Sequence, residues 1–128
     1  MILVTGAAGK TGKAVIQSLH TLGSSVRAFV RRNEQIPDLE ALGTDDVFVG
    51  DLLSYHDVEQ SLQGVRAVYH ICPNVSPYEF SIGKTVVSAA RASGAEQCVF
   101  HSVMHPQTES MPHHWAKLRV EEFLLESG

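Results

Sequence analysis

Three glycines at Gly6, Gly9 and Gly12 leave little freedom in how the start of this chain folds. An apolar run, Ile2-Leu3-Val4, precedes them, and Lys13-Ala14-Val15-Ile16-Gln17-Ser18-Leu19 follows with helical periodicity. A chain that leaves a strand, turns within a few residues and enters a helix needs positions without a Cβ atom. The embedded Gly9-Lys10-Thr11 invites comparison with a nucleoside-triphosphate loop, G-x-x-x-x-G-K-[ST], but that spacing needs a glycine at position 4, which is Val4. What remains is Gly6-x-x-Gly9-x-x-Gly12 between strand and helix, the context of a dinucleotide fingerprint. Free N–H groups and the positive end of the helix would hold the pyrophosphate.

The rest of the chain alternates in the same way. Strands are expected at Ser25 to Arg31, Val47 to Asp51, Ala67 to Cys72 and Gln97 to Val103. Helical segments are expected from Pro37 to Leu42, His56 to Leu62, Phe80 to Ser93 with Gly94 as its stop, and Pro112 to Glu126 with Ser110 as cap. Five such alternations predict an α/β doubly wound parallel sheet of the Rossmann type in the order 3-2-1-4-5, with ligands at the carboxyl ends where the order reverses. The last helix is followed by no sixth strand. Residues 1–128 are therefore expected to be one domain, either lacking a C-terminal substrate portion or minimal with a bare sheet edge.

Composition excludes several classes. Of 128 residues, 44% are hydrophobic and 19% charged, which is ordinary for a globular domain. The net charge of −4 gives no footprint for a nucleic acid. The first strand starts at residue 2, leaving no room for a leader, and no apolar stretch has membrane-spanning length, so a cytoplasmic location is expected. Cys72 and Cys98 fall at opposite ends of neighbouring strands, roughly 15 Å apart, too far for a disulfide, and read as small buried apolar residues. No metal site is expected, because His101 and His105 are four apart across a strand end rather than on a helix. Trp115, Leu118, Phe123 and Leu125 read as helix packing.

A free 2′-hydroxyl on the bound nucleotide calls for an acidic residue about 20 positions past the glycines, and a 2′-phosphate for arginine. Arg31 lies 19 residues after Gly12, Arg32 follows, and no carboxylate stands at that strand tip, so NADP(H) is favoured over NAD. Asp51 ends the third strand, where it could accept from the adenine amino group or cap the next segment. The candidate cofactor-binding set is Gly6, Ala8, Gly9, Lys10, Thr11 and Gly12 in the first turn, Arg31 and Arg32, Asp51 and Leu52, and Cys72 and Pro73 after strand four.

Four stretches together resemble the NmrA-like branch of the atypical short-chain dehydrogenase/reductases. They are Val4-Thr5-Gly6-Ala7-Ala8-Gly9-Lys10-Thr11-Gly12, Val26 to Arg32, Gly50-Asp51-Leu52 and Lys117-x-x-Val120-Glu121-x-x-Leu124-x-x-Ser127-Gly128. The resemblance spans the whole chain, and members of that branch continue into a substrate-binding portion. In the wider superfamily a serine after strand five and a Tyr-x-x-x-Lys on the next helix carry catalysis. Ser102 fits the serine and Lys117 the lysine, while His113 stands at the tyrosine position. Imidazole can donate a proton near pH 7, where a phenol with a pKa of about 10 needs help, though a nearby lysine disfavours the imidazolium form that would donate it. The resemblance implies hydride transfer from NADPH to a small acceptor, such as a quinone or enone, whose product anion needs no strong acid. It equally implies a rival role, a non-catalytic NADP(H) sensor acting through a protein partner. Lys117 with Glu121 also has the spacing of a solvated i,i+4 pair. A homodimer is compatible with either role.

Overall fold

The computed structural model describes all residues from Met1 to Gly128. Its strands are β1 (Ile2–Val4), β2 (Val26–Val30), β3 (Asp46–Val49), β4 (Ala67–His70) and β5 (Gln97–Phe100). Between and after them run α1 (Lys10–Thr21), α2 (Ile36–Glu40), α3 (Tyr55–Ser61), α4 (Glu79–Ala92) and α5 (Pro112–Glu126), with a 3-10 turn at Asn33–Gln35 ahead of α2. The sheet order is β3-β2-β1-β4-β5 and every pairing is parallel, as expected.

Alternation along the strands builds two cores. Leu3, Phe29, Val68 and Cys72 face α3 and α4, meeting Val58, Leu62, Ile82 and Val86. Val4, Val26, Ala28 and Val30 face the other way, onto Ile16 of α1 and Leu39 of α2. A sheet buried on both sides in this way reads as near-continuous apolar runs, which is why the strands stand out in the sequence. Arg27 ties one edge together: Nε donates to Asp46 Oδ2 at 2.6 Å, and Nη1 donates to the carbonyls of Ser61 and Gln63.

Several boundaries differ from expectation for one reason. Asp51, Cys72 and Ser102 to Val103 were expected within strands, yet β3, β4 and β5 stop two or three residues earlier. There the chain leaves the ladder to line a cleft. The cap of α5 is Met111 rather than Ser110, with no side-chain bond, because Pro112 occupies the first turn and holds the preceding residue extended (φ −119°, ψ 90°). Trp115 and Leu125, expected to pack, are 40% and 82% exposed. Both lie five residues from Val120, about 140° round the helix, and Val120 is the one residue of α5 that is fully buried. It packs against Gly83 of α4, where an added Cβ would come within 2.5 Å of Val120 Cγ2. Cys98 is only half-buried, so of the two cysteines Cys72 alone is a core residue. No helix is long and apolar enough to cross a membrane.

Candidate functional site

The turn between β1 and α1 uses its glycines differently. Gly6 adopts φ +60°, and a Cβ there would press on the Ile71 carbonyl at 2.7 Å. At Gly12 a Cβ would sit 2.7 Å from Ala7 Cα, so the helix could not lie this close to the turn. Gly9 differs: its backbone is extended (φ −76°, ψ 167°) and a Cβ would meet only the Gly6 carbonyl, at 3.4 Å. The fold alone therefore does not require glycine at position 9. The open space beside it is what the close approach of a ligand needs. The helix cap is Gly9 itself, with no side-chain cap bond, and the N–H groups of Lys10, Thr11 and Gly12 have no acceptor in the chain.

These groups open into a cleft of about 780 Å³ at the carboxyl ends of the strands. One side carries Arg31 after β2, Gln35 of the 3-10 turn and Asp51 after β3; the other carries Ser102 from the segment after β5 and His113 and Lys117 of α5. Gly6, Ala8, Gly9, Lys10, Thr11, Gly12, Leu52, Cys72 and Pro73 all line it. Arg32 does not. It precedes the 3-10 turn, and the N–H groups of both Arg31 and Arg32 donate to Gln35 Oε1, at 3.2 and 3.0 Å, so the two residues share this backbone anchor and only Arg31 lines the cleft. The Arg31 guanidinium has no acidic partner in the chain. Asp51 Oδ1 accepts from the Leu53 N–H at 2.9 Å and closes a local turn, while α3 is capped by Ser54, whose Oγ accepts from the Asp57 N–H.

The β4–β5 side holds the reactive side chains. Ser102 Oγ is buried without a partner, and a buried hydroxyl left so in the protein fits one whose partner is a ligand. Lys117 does not pair with Glu121. Its Nζ donates to Glu79 Oε1 at 2.9 Å, lies 5.2 Å above the centre of the Phe100 ring and is 3.5 Å from the His101 carbonyl. His113 sits edge-on to His114 with ring centres 4.5 Å apart. Burial, then the neighbouring Glu79 carboxylate, push the Cys72 thiol well above its ordinary range, so it stays a neutral thiol and no nucleophile. Behind the cleft His70 is fully buried against Thr5, Nδ1 to Oγ1 at 2.7 Å, while Thr5 Oγ1 also accepts from the Ile71 N–H. Burial first, and the Lys117 ammonium second, lower the His70 pKa to about 3, so its ring is neutral.

Glu79 is the site residue that sequence reasoning missed. It stands 38 positions from its lysine, so no local spacing joins them, and the one available signal is a lone acid at the start of a helix with no other carboxylate. Val75 was not expected in a special conformation, yet it holds φ +50° in the loop along the cleft. A β-branched residue rarely adopts that conformation.

A parallel sheet in this order, with a glycine turn delivering unpaired N–H groups into a cleft at the switch point, defines a dinucleotide-binding Rossmann domain. The residues present fit such a ligand: room at Gly9, three free N–H groups, and an unpaired guanidinium at the tip of β2. Residues 6–127 match the NAD(P)H-binding family, and the chain belongs to it. It is 34% identical over 113 residues to the 2-alkyl-3-oxoalkanoate reductase of Shewanella oneidensis, covering 77% of this chain and 27% of that one. Among solved structures, the NADPH-dependent quinone oxidoreductase of Escherichia coli, complexed with NADPH, superposes with a TM-score of 0.89 at 28% identity over 100% of this chain and 46% of that one. Citrobacter sp. triphenylmethane reductase, complexed with NADP(H), gives 0.87 at 25% identity over 99% and 46%. The chain thus spans less than half the length of each of these relatives.

Proposed function

We propose that residues 1–128 form the cofactor-binding domain of an NADPH-dependent reductase of the NmrA-like, atypical short-chain type, acting on a conjugated acceptor such as a quinone or enone. The observation that carries this reading is a single cleft with an unpaired arginine at one end and a buried, unpartnered serine beside a lysine at the other. The N–H groups of Lys10, Thr11 and Gly12 would hold the pyrophosphate, and Arg31 the 2′-phosphate. Bound NADPH supplies the hydride. Ser102 Oγ and Lys117 Nζ are among the donors that line the cleft on that side and could hydrogen-bond oxygens there. A conjugated acceptor leaves a delocalised oxyanion that these donors can stabilise and water can protonate, which suits a site with His113 at the tyrosine position. The relatives with quinone and dye substrates in their names support the same class of acceptor.

Titration with NADPH and NADH in parallel, followed by nicotinamide fluorescence, tests the cofactor assignment. Equal affinities would refute the 2′-phosphate site. Reduction of simple ketones without reduction of benzoquinone would refute the acceptor class. His113 also favours a second reading, an NADP(H) sensor acting through a protein partner. A sensor would take NADP⁺ as readily as NADPH and would not oxidise NADPH, whichever acceptor is supplied.

A further inference from the structure

The Glu79–Lys117 pair is unlike the exposed ion pairs of this chain. The side chain of Glu79 is 1% exposed and that of Lys117 14%, against 39% and 73% for Lys13 and Asp38 and 55% and 50% for Arg119 and Glu122. Burying two charges brings little net stability, because desolvation offsets their attraction. Packing α4 on α5 does not need the pair either, since Gly83 and Val120 already make a close apolar contact there. The carboxylate does have a favourable seat: Glu79 is the first residue of α4, where the helix's positive end favours an anion. Both side chains line the cleft. An ammonium has three donors; Glu79 takes one, the His101 carbonyl lies 3.5 Å away for a second, and the third has no acceptor in the chain. The Phe100 ring face lies beneath it.

We propose that Glu79 is the positioning residue for Lys117: its carboxylate fixes the ammonium on the cleft wall, so that the remaining N–H is presented to the nicotinamide half of a bound dinucleotide. The halves are set by topology. The glycine turn of β1 takes the pyrophosphate, Arg31 on β2 marks the adenosine side, and Lys117 stands on the opposite side with the tips of β4 and β5. This inference rests on the assignment of Lys117 made above.

The test compares two ligands: NADPH, which reaches both halves, and adenosine 2′,5′-bisphosphate, which reaches only the adenosine half. Glu79→Gln, Lys117→Met, the double variant and Glu79→Asp are each titrated with both and checked by thermal unfolding. Glu79→Asp keeps the charge but withdraws the carboxylate by one methylene, so it remains informative should the glutamine variant fail to fold. The expected result is that Glu79→Gln, Glu79→Asp and Lys117→Met each weaken NADPH roughly tenfold and leave the bisphosphate within about twofold, with the double variant no worse than Lys117→Met alone. A purely structural staple would lower the unfolding temperature and spare the ratio of the two affinities. If Lys117→Met shifts that ratio and neither Glu79 variant does, the positioning role is overturned while the lysine assignment stands. If Lys117→Met itself leaves the ratio unchanged, the lysine assignment falls and the inference with it.

Discussion

Replacing Gly9 by alanine should separate folding from binding, which replacing Gly12 cannot do. At Gly9 the backbone already has a conformation open to any residue, and the new methyl would meet one atom, at 3.4 Å. The loss of glycine as a helix cap costs a few tenths of a kcal/mol to about 1, and the stiffer unfolded chain returns about 0.4–1, so the net change stays within about 1 kcal/mol. For a chain of this length that is a shift of no more than about 5 °C in melting temperature. At Gly12 the methyl would lie 2.7 Å from Ala7 Cα and 2.8 Å from the Ala7 carbonyl oxygen, both backbone atoms. Carbon contacts relax near 3.5–4 Å, so α1 must retreat by roughly 1 Å from a buried position, and overpacking of that kind costs about 1–3 kcal/mol. The ligand reverses the ranking of the Gly9 variant. Its methyl fills the space left for the pyrophosphate, and NADPH affinity should fall at least tenfold, by about 1.4 kcal/mol or more. Thermal unfolding gives the first quantity and nicotinamide fluorescence the second. A Gly9→Ala protein that melts near the wild type and binds NADPH equally well would refute the assignment of the turn.

Three further outcomes follow from particular contacts. Arg31→Ala should reduce the preference for NADPH over NADH about tenfold, the weight of one charge-assisted phosphate contact, and leave NADH affinity unchanged in the same titration. His70 has a folded pKa of about 3 against 6.5 unfolded, so the unfolded state takes up its proton first and the stability this residue contributes falls as the pH drops below 6.5. Urea unfolding between pH 7 and 4 should show a His70 contribution approaching 1.4 kcal/mol per pH unit, absent in His70→Phe. Gly83→Ala should destabilise by about 1–3 kcal/mol through its clash with the Val120 methyls, and Val120→Ala in the same chain should relieve that clash, giving a coupling between the two sites well above 0.5 kcal/mol in a double-mutant cycle.

Topology was legible in the sequence because a sheet covered on both faces writes its strands as apolar runs and its helices as the polar-apolar segments between them. The bounds of α5 were legible too, since Pro112 and the Ser127-Gly128 end are strong local signals. Less legible were the ends of β3, β4 and β5; after β4, for example, Ile71 and Cys72 continue the apolar pattern while their backbone has already left the ladder to line the cleft. Arg31 and Arg32 show the limit of reading by offset: neighbours in a strand exit point to opposite sides, and only the first lines the cleft. Contacts of long sequence separation were invisible, among them Lys117 with Glu79 and Thr5 with His70, 65 positions apart. In both cases the partner is chosen by which strands and helices adjoin, and no spacing rule records that.

The grip proposed for the pyrophosphate is made of main-chain amides and missing side chains, and neither carries a titratable proton. Acidifying the solution, or exchanging one surface residue of α1 for another, leaves it unaltered. On the proposed assignment, what responds to acid is the guest: a 2′-phosphate loses its second negative charge near pH 6, and with it much of the attraction Arg31 would exert. Discrimination between the phosphorylated and unphosphorylated dinucleotides would thus be tied to ambient acidity, while retention of the part common to both would not. A cell that acidifies would blur the choice of cofactor at this domain before it emptied the cleft.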